Sequence, residues 1–206
     1  MSDQYTTIAA PARVELKVLG SRFIASAHPL ATREEVEQVL AAVRKELFDA
    51  THHCFAYRLG ADGADFRAVD GGEPSGSAGK PILTAIDRGG FTDILVVVTR
   101  YFGGTKLGVG GLARAYGEAA AGALASATPK VCYATVRLRA SFPHDMVGAV
   151  MHAVGRLGAK IEGTEYDGEV HLLVSVRASR ADELEMSLLE GTRGGIRMKR
   201  EDQAPH

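Results

Sequence analysis

One stretch of the chain leaves few folds open to it. Ile94-Leu95-Val96-Val97-Val98 is an unbroken apolar run within Asp93 to Phe102, a segment that reads as a central strand covered on both faces. It leads through Arg100-Tyr101-Phe102 into GGTKLGVGG, which places five glycines in the nine positions from Gly103 to Gly111. A helix from about Leu112 to Ala127 follows, built almost wholly of Ala and Gly with Arg114, Tyr116 and Glu118 among them. Side chains so small let a helix lie close to its neighbours, so the segment calls for a sheet with this helix pressed against it. Glycine is abundant throughout, 24 of 206 residues or about 12% against a usual ~7%. Fifteen of the 24 fall between Gly60 and Gly122.

The remaining elements divide the chain in two. Val14 to Leu19 and Arg22 to Ala27 read as strands joined by a tight turn at Gly20-Ser21. Thr32 with Glu35 forms a capping box, and Val36, Val39, Leu40, Val43 and Leu47 repeat at helical spacing behind it. His52 to Leu59 is a strand, Gly60 to Gly79 is rich in turn residues, and Pro81 to Asp87 is a short helix ended by Gly89-Gly90. Pro129 breaks the chain and is the expected boundary between a domain of residues 1–129 and one of residues 130–206. After it come a strand (131–141), a helix (143–157) stopped by Gly158, two strands (160–166 and 170–177) joined by Asp167-Gly168, a helix (179–190) and a last strand (196–199). That β-α-β-β-α-β order is the ferredoxin-like pattern, so the fold class is α+β throughout. The pattern hosts many unrelated functions and settles architecture alone.

Composition excludes several classes. With 24 Lys+Arg against 25 Asp+Glu the chain is nearly neutral, so a nucleic-acid contact must come from a local patch rather than bulk charge. No stretch approaches the ~20 apolar residues of a membrane helix, and the N-terminus lacks the basic start and apolar run of a secretory signal. The expected compartment is the cytoplasm, with no membrane partner. Cys54 and Cys132 are too few for a disulfide scaffold and too far apart for a local metal knuckle, and both read as buried thiols.

Three segments could carry chemistry. The first is the glycine loop, where backbone N–H groups and a following helix N-terminus favour a phosphate, with Lys106 in the loop and Arg114 in the helix adding positive charge. Gly108 is followed by Val109 rather than Lys, so the loop is not a Walker A motif, and G-x-G-x-x-G is also missing. The competing reading is structural: the glycines allow a sharp turn and close packing. The second segment is Asp70-Gly71-Gly72-Glu73-Pro74-Ser75-Gly76-Ser77-Ala78-Gly79-Lys80. Asp70 and Glu73 could act as acid and base or hold a hard cation, and Ser75 or Ser77 could be a nucleophile if a base such as His52 or His53 reached it. Against that stands a turn-rich loop whose carboxylates cap backbone N–H groups. The third is His52-His53-Cys54, where His52 and Cys54 share one strand face. Two ligands at i and i+2 do not complete a four-ligand zinc site, and neither a metal nor a cofactor is expected.

With ATHHCFAYRLG, GGEPSGSAGKPIL and VVVTRYFGGTKLGVGGLARAYG in view, residues of about 10 to 125 resemble the YigZ/IMPACT family, and the remainder resembles the C-terminal domain of its bacterial members by pattern. The family's S-D-D-G-E-P element stands here as Val69-Asp70-Gly71-Gly72-Glu73-Pro74, and its G-T-A-G as Gly76-Ser77-Ala78-Gly79. The departure removes one carboxylate from any paired-carboxylate metal site. The resemblance implies an N-terminal β-α-β domain like that of a small-subunit ribosomal protein, GHMP kinases and domain IV of elongation factor G. It implies a C-terminal ferredoxin-like domain similar to domain V of the same factor. Binding to RNA or a ribosome-associated protein follows as an expectation by analogy. Eukaryotic relatives regulate translation with an additional N-terminal domain that this sequence lacks, so that pathway role is not carried over.

Two functions compete on these grounds. The favoured one is a non-enzymatic binding protein that contacts RNA or the translation machinery through Arg100, Lys106, Arg114 and Lys80, with Asp70, Glu73, Pro74, Ser75, Ser77, Gly103, Gly104, Gly108, Gly110 and Gly111 forming the family-motif loops. The alternative is an enzyme acting on a small phosphorylated or peptide substrate at the Glu73 and Arg100 loops, which requires those groups to share one cleft. An oligomeric adaptor is a third, weaker reading.

Overall fold

A computed structural model of the protein describes residues 3–201. Along the first part of the chain run β1 (Gln4–Ile8), β2 (Ala12–Val18), β3 (Ser21–Pro29), α1 (Arg33–Glu46), β4 (His52–Leu59), β5 (Asp65–Val69), α2 (Gly79–Gly89), β6 (Ile94–Tyr101) and α3 (Gly108–Ser126). Strands β2-β3-β6-β4-β5, in that order, form an antiparallel five-stranded sheet with β6 at its centre. The alternation of β6 explains its unbroken apolar run. Ile94, Val96 and Val98 enter one core with Phe23, Ala25, Cys54, Ala56 and the helices α2 and α3, whereas Leu95 and Val97 enter another with Phe55, Tyr57 and helix α1. Both faces are covered, so polar residues find no place on the middle of this strand.

The local signals act as the chemistry requires. Thr32 accepts from the Glu35 N–H while the Glu35 carboxylate accepts from the Thr32 N–H, completing the capping box of α1. Gly90 ends α2 in the left-handed region. Several elements differ from expectation, among them strand β1, which the sequence does not announce, and α2, which starts at Gly79 rather than Pro81. The turn-rich stretch contains the five-residue strand β5, bonded along one side only and largely exposed, which leaves it without an apolar period to reveal it. Helix α3 begins a full turn earlier than expected, so that Gly108, Gly110 and Gly111 lie inside its first turn rather than before it.

The described residues divide into two compact units, Tyr5–Cys132 and a second one built from 133–201 together with Asp3 and Gln4. The expected single strand of 131–141 is two strands. β7 (Pro129–Tyr133) pairs with β1, and after Ala134 the chain continues as β8 (Thr135–Phe142) in a different sheet. A short 3-10 turn at His144–Met146 then precedes α4 (Val147–Arg156), followed by β9 (Lys160–Tyr166), β10 (Val170–Arg177), α5 (Ala181–Gly191) and β11 (Arg197–Glu201). The antiparallel order β11-β8-β10-β9 is ferredoxin-like, with Val150, Val154, Leu184 and Leu188 of the helices packed on Leu138, Leu172 and Val174 of the sheet. Cys54 is buried, but Cys132, on the short strand β7, is only half-buried. Among the described residues no helix is long and apolar enough to cross a membrane.

Candidate functional site

The two family-motif loops meet around a buried ion pair. Arg100 stands near the end of β6 and Glu73 in the loop after β5, and their side chains are 6% and 3% exposed. The Arg100 Nη1 donates to Glu73 Oε1 at 2.8 Å, and the Tyr116 hydroxyl of α3 donates to the same oxygen at 2.7 Å. The other Arg100 terminal nitrogen lies 3.3 Å from Ser21 Oγ, which also accepts from the Gly103 N–H at 3.2 Å. His52 Nε2 lies 3.9 Å from Glu73 Oε1, and its Nδ1 is 3.0 Å from the Gly71 carbonyl. One carboxylate thus joins β4, β6, α3 and the β5–α2 loop. Burial, with Cys54 and Glu73 alongside, pushes the Tyr116 phenol above its ordinary value and keeps it a donor. Burial likewise pushes the Cys54 thiol up to about 12, so it stays protonated and donates to the Asp70 carbonyl at 2.9 Å.

The loops themselves are shaped by local bonds and close approach. Partial burial alone would raise the Asp70 carboxyl, but N–H bonds from Gly76, Gly79 and Ala78, all between 2.8 and 2.9 Å, outweigh it and hold it below the usual carboxylate range. Asp70 is therefore the cap that fixes the start of α2. Ser77 is fully buried and donates to the Pro74 carbonyl at 2.6 Å. Gly103 passes so near the β2–β3 turn that a Cβ there would stand 1.9 Å from the carbonyl carbon of Gly20. This contact, which only two glycines permit, seats the glycine loop over Ser21 and Arg100. Gly110, by contrast, has open space where a Cβ would go.

Placed on this geometry, the expected site residues separate into two groups. Arg100 is corrected from a surface cation to a buried one: a guanidinium at the inner end of a central strand can remain charged only by pairing, and Glu73 supplies the pair. Glu73 belongs to the Arg100 network, Asp70 and Ser77 bond backbone groups of their own loop, and Pro74, Ser75, Gly104 and Gly108, the last at the start of α3, are exposed. Lys80, Lys106 and Arg114 are exposed, and none of them forms an ion pair among the described residues. Tyr116 is the member of the Glu73 network that the sequence does not single out, while His52, a possible base for Ser75 or Ser77 in the sequence, lies beside the Glu73 carboxylate instead. The i, i+2 sharing of a face by His52 and Cys54 pointed toward it, but the partner loop could not be known. His53, on the opposite face, lies 3.1 Å from Thr99 Oγ1 instead. Among the described residues no three His, Cys, Asp or Glu side chains gather as a metal would require.

A cavity of about 920 Å³ lies between α2 and α3 on their outer side. Pro81, Ala85, Ala113, Gly117, Ala121 and Leu124 line its apolar part, and Lys80, Arg88 and Arg114 border it together with the single carboxylate of Glu118. Arg88, like Lys80 and Arg114, has no ion-pair partner among the described residues. Neither Glu73 nor Arg100 lines this cavity.

Fold and site together define a two-unit α+β protein whose first unit locks two glycine-rich loops over a buried Glu–Arg pair and whose second unit is ferredoxin-like. The Impact N-terminal domain family matches residues 19–124, and a domain family of unknown function, DUF1949, matches residues 141–194. The chain is 34% identical to the IMPACT family member YigZ of Escherichia coli (strain K12) over 194 residues, 92% of this chain and 94% of that protein. It therefore belongs to the IMPACT family. It is also 41% identical over 118 residues to the IMPACT family member YvyE of Bacillus subtilis (strain 168), a match spanning 57% of this chain and 54% of that protein. A Thermus thermophilus family member is matched at 47% identity over 66% of its length. The chain thus spans about half to two-thirds of these two relatives. A crystal structure of a hypothetical protein superposes with a TM-score of 0.76 at 30% identity, covering 99% of this chain and all of that one.

Proposed function

We propose that this protein is a non-enzymatic binding protein that contacts an anionic component of the translation machinery, RNA or the acidic face of a ribosome-associated protein, and regulates translation through that contact. The observation that carries this reading is a set of cations on the first unit without ion-pair partners among the described residues: Lys80, Arg88 and Arg114 around the α2–α3 cavity, with Lys106 exposed on the loop ahead of α3. In a chain of net charge −1, four such cations on or ahead of two neighbouring helices form a local positive patch suited to an anionic surface. An enzyme would need Glu73, Ser77 and Arg100 free to meet a substrate. Glu73 and Arg100 instead occupy each other, and Ser77 is bonded to a backbone carbonyl, which supports binding over catalysis.

Co-sedimentation with ribosomes across a salt series tests the reading. Retention should fall with salt, with a log–log slope of roughly 3 for about four cations. Reversing Lys80, Arg88, Lys106 and Arg114 to Glu should abolish it. Retention indifferent to both salt and charge reversal would refute the proposal.

A further inference from the structure

The unpaired cations surround an apolar floor, and that combination narrows the partner. This inference rests on the binding reading above and asks what kind of anionic surface fits. RNA presents a hydrated phosphate backbone, which gains nothing from covering alanine, proline and leucine side chains. Its bases would find as a stacking platform only Phe91, whose ring is already packed against Gly89, where a Cβ would stand 2.6 Å from it. The floor is made instead of small side chains on two helices, Ala85 of α2 with Ala113, Gly117 and Ala121 of α3. The two helices are in close contact here, with a Cβ at Gly117 only 3.7 Å from that of Pro81. Such a surface lets a third helix settle close to both. Helix α2, 11 residues long, offers about 16 Å of length, enough for roughly three turns of a partner. Lys80, Arg88 and Arg114 on the border then meet carboxylates flanking the partner's apolar stripe, while Glu118 alone opposes them.

We infer that the α2–α3 groove is a docking site for an acidic amphipathic helix of a partner protein, with apolar residues at helical spacing laid on the Ala/Gly/Pro floor and Asp or Glu on either side engaging Lys80, Arg88 and Arg114. Charge complementarity selects this occupant: apolar contact alone would accept a neutral helix, and cations alone would accept any polyanion. Ala121 and Ala125 are exposed, so the groove can be filled by substitution without disturbing the core beneath.

The probe is a designed fluorescent peptide of about four helical turns, with leucine along one face and glutamate on both flanks, titrated against the full chain by anisotropy. A twin with lysine flanks serves as control. The acidic peptide should bind at least tenfold more tightly than the basic twin. The double substitution A121F/A125F, which fills the groove and leaves every cation in place, should weaken it tenfold or more and should lower ribosome retention in parallel. The charge reversal K80E/R88E/R114E should abolish both. A far-ultraviolet melt of each variant verifies that it is folded. Equal binding of the two peptides would overturn the inference. So would ribosome retention that survives groove filling with equal binding to deproteinised ribosomal RNA, an outcome that leaves the broader binding reading standing with RNA as the partner. A small anionic amphiphile, dodecyl phosphate, that binds more tightly than the acidic peptide would overturn it in favour of a small-molecule site. Loss of ribosome retention under all conditions would remove the binding reading itself.

Discussion

Removing the Glu73 carboxylate tests the central structural reasoning most severely. At 2.8 Å and an effective dielectric of about 20, the Glu73–Arg100 attraction is roughly 6 kcal/mol before desolvation is subtracted. Both side chains are almost wholly withdrawn from water, so much of that attraction offsets the cost of burying them. Truncating one partner is a different matter, because Arg100 would remain buried with its charge uncompensated. Glu73→Ala should therefore destabilise the first unit by about 3 to 5 kcal/mol. For a unit of this size that lowers Tm by roughly 2 to 4 °C or somewhat more for each kcal/mol, observable by circular dichroism or a urea titration. Tyr116→Phe removes only one donor to a charged acceptor, since the Arg100 bond remains, and should cost about 1.5 to 3 kcal/mol. The double variant Glu73→Leu/Arg100→Met should recover much of the loss, because neither buried charge is then left alone. A Glu73→Ala variant within about 1 kcal/mol of the parent, or a double variant as unstable as the summed single ones, would refute the assignment of this pair as a buried, mutually neutralising unit.

Other outcomes follow from particular residues. Gly103→Ala places a methyl group into the backbone of Gly20 and Ser21 and should cost about 1 to 3 kcal/mol by overpacking, whereas Gly110→Ala meets open space within α3 and should stabilise by up to about 1 kcal/mol; a urea titration of the two variants separates them by sign. Asp70→Ala leaves the N–H groups of Gly76, Ala78 and Gly79 uncapped, and its loss should speed limited proteolysis by the broad-specificity protease subtilisin, with cleavage within the 70–80 loop, mapped by mass spectrometry, as the readout. Because the Asp70 carboxyl is held below its ordinary value, its stabilising effect is complete above about pH 4 and is lost as pH falls through its folded-state value, so the parent and Asp70→Asn should converge in stability in strong acid. His28 and His53 shift in the same direction for a different reason: burial disfavours their charged form and lowers both, so the unfolded chain binds more protons between their folded values and about 6.5. Stability should be level above that pH and should decline as pH drops below it, and His28→Leu should flatten the decline in urea midpoints measured from pH 7.5 to 5.

Much of the fold could be read along the chain because it is governed by short-range rules. The run Ile94–Val98 announced a strand covered on both faces, and Thr32 with Glu35 announced the start of α1, since apolar periodicity and capping act within a few residues. The ferredoxin-like order after Pro129 was legible for the same reason. Strand β5 was not, because its residues are bonded along one edge and stay exposed, leaving no period to detect. Nor was the change of sheet at Ala134, which depends on β1, more than a hundred residues earlier in the sequence.

The site divides along the same line. Sequence alone determined which segments would be special: two glycine-rich loops, their cations and their carboxylates. Only the tertiary structure decided what each charge does. Arg100 and Glu73 are 27 positions apart and look equally available on paper, yet pairing in β6 and its neighbouring loop takes both out of water and makes them a fastening. Lys80 and Arg114 stand out in one dimension beside the glycine-rich loops and Arg88 does not, and the three come to border one groove because α2 and α3 pack side by side. Charge is a property of a residue, but burial and partnership belong to the fold, and it is these that separate a structural ion pair from a binding surface.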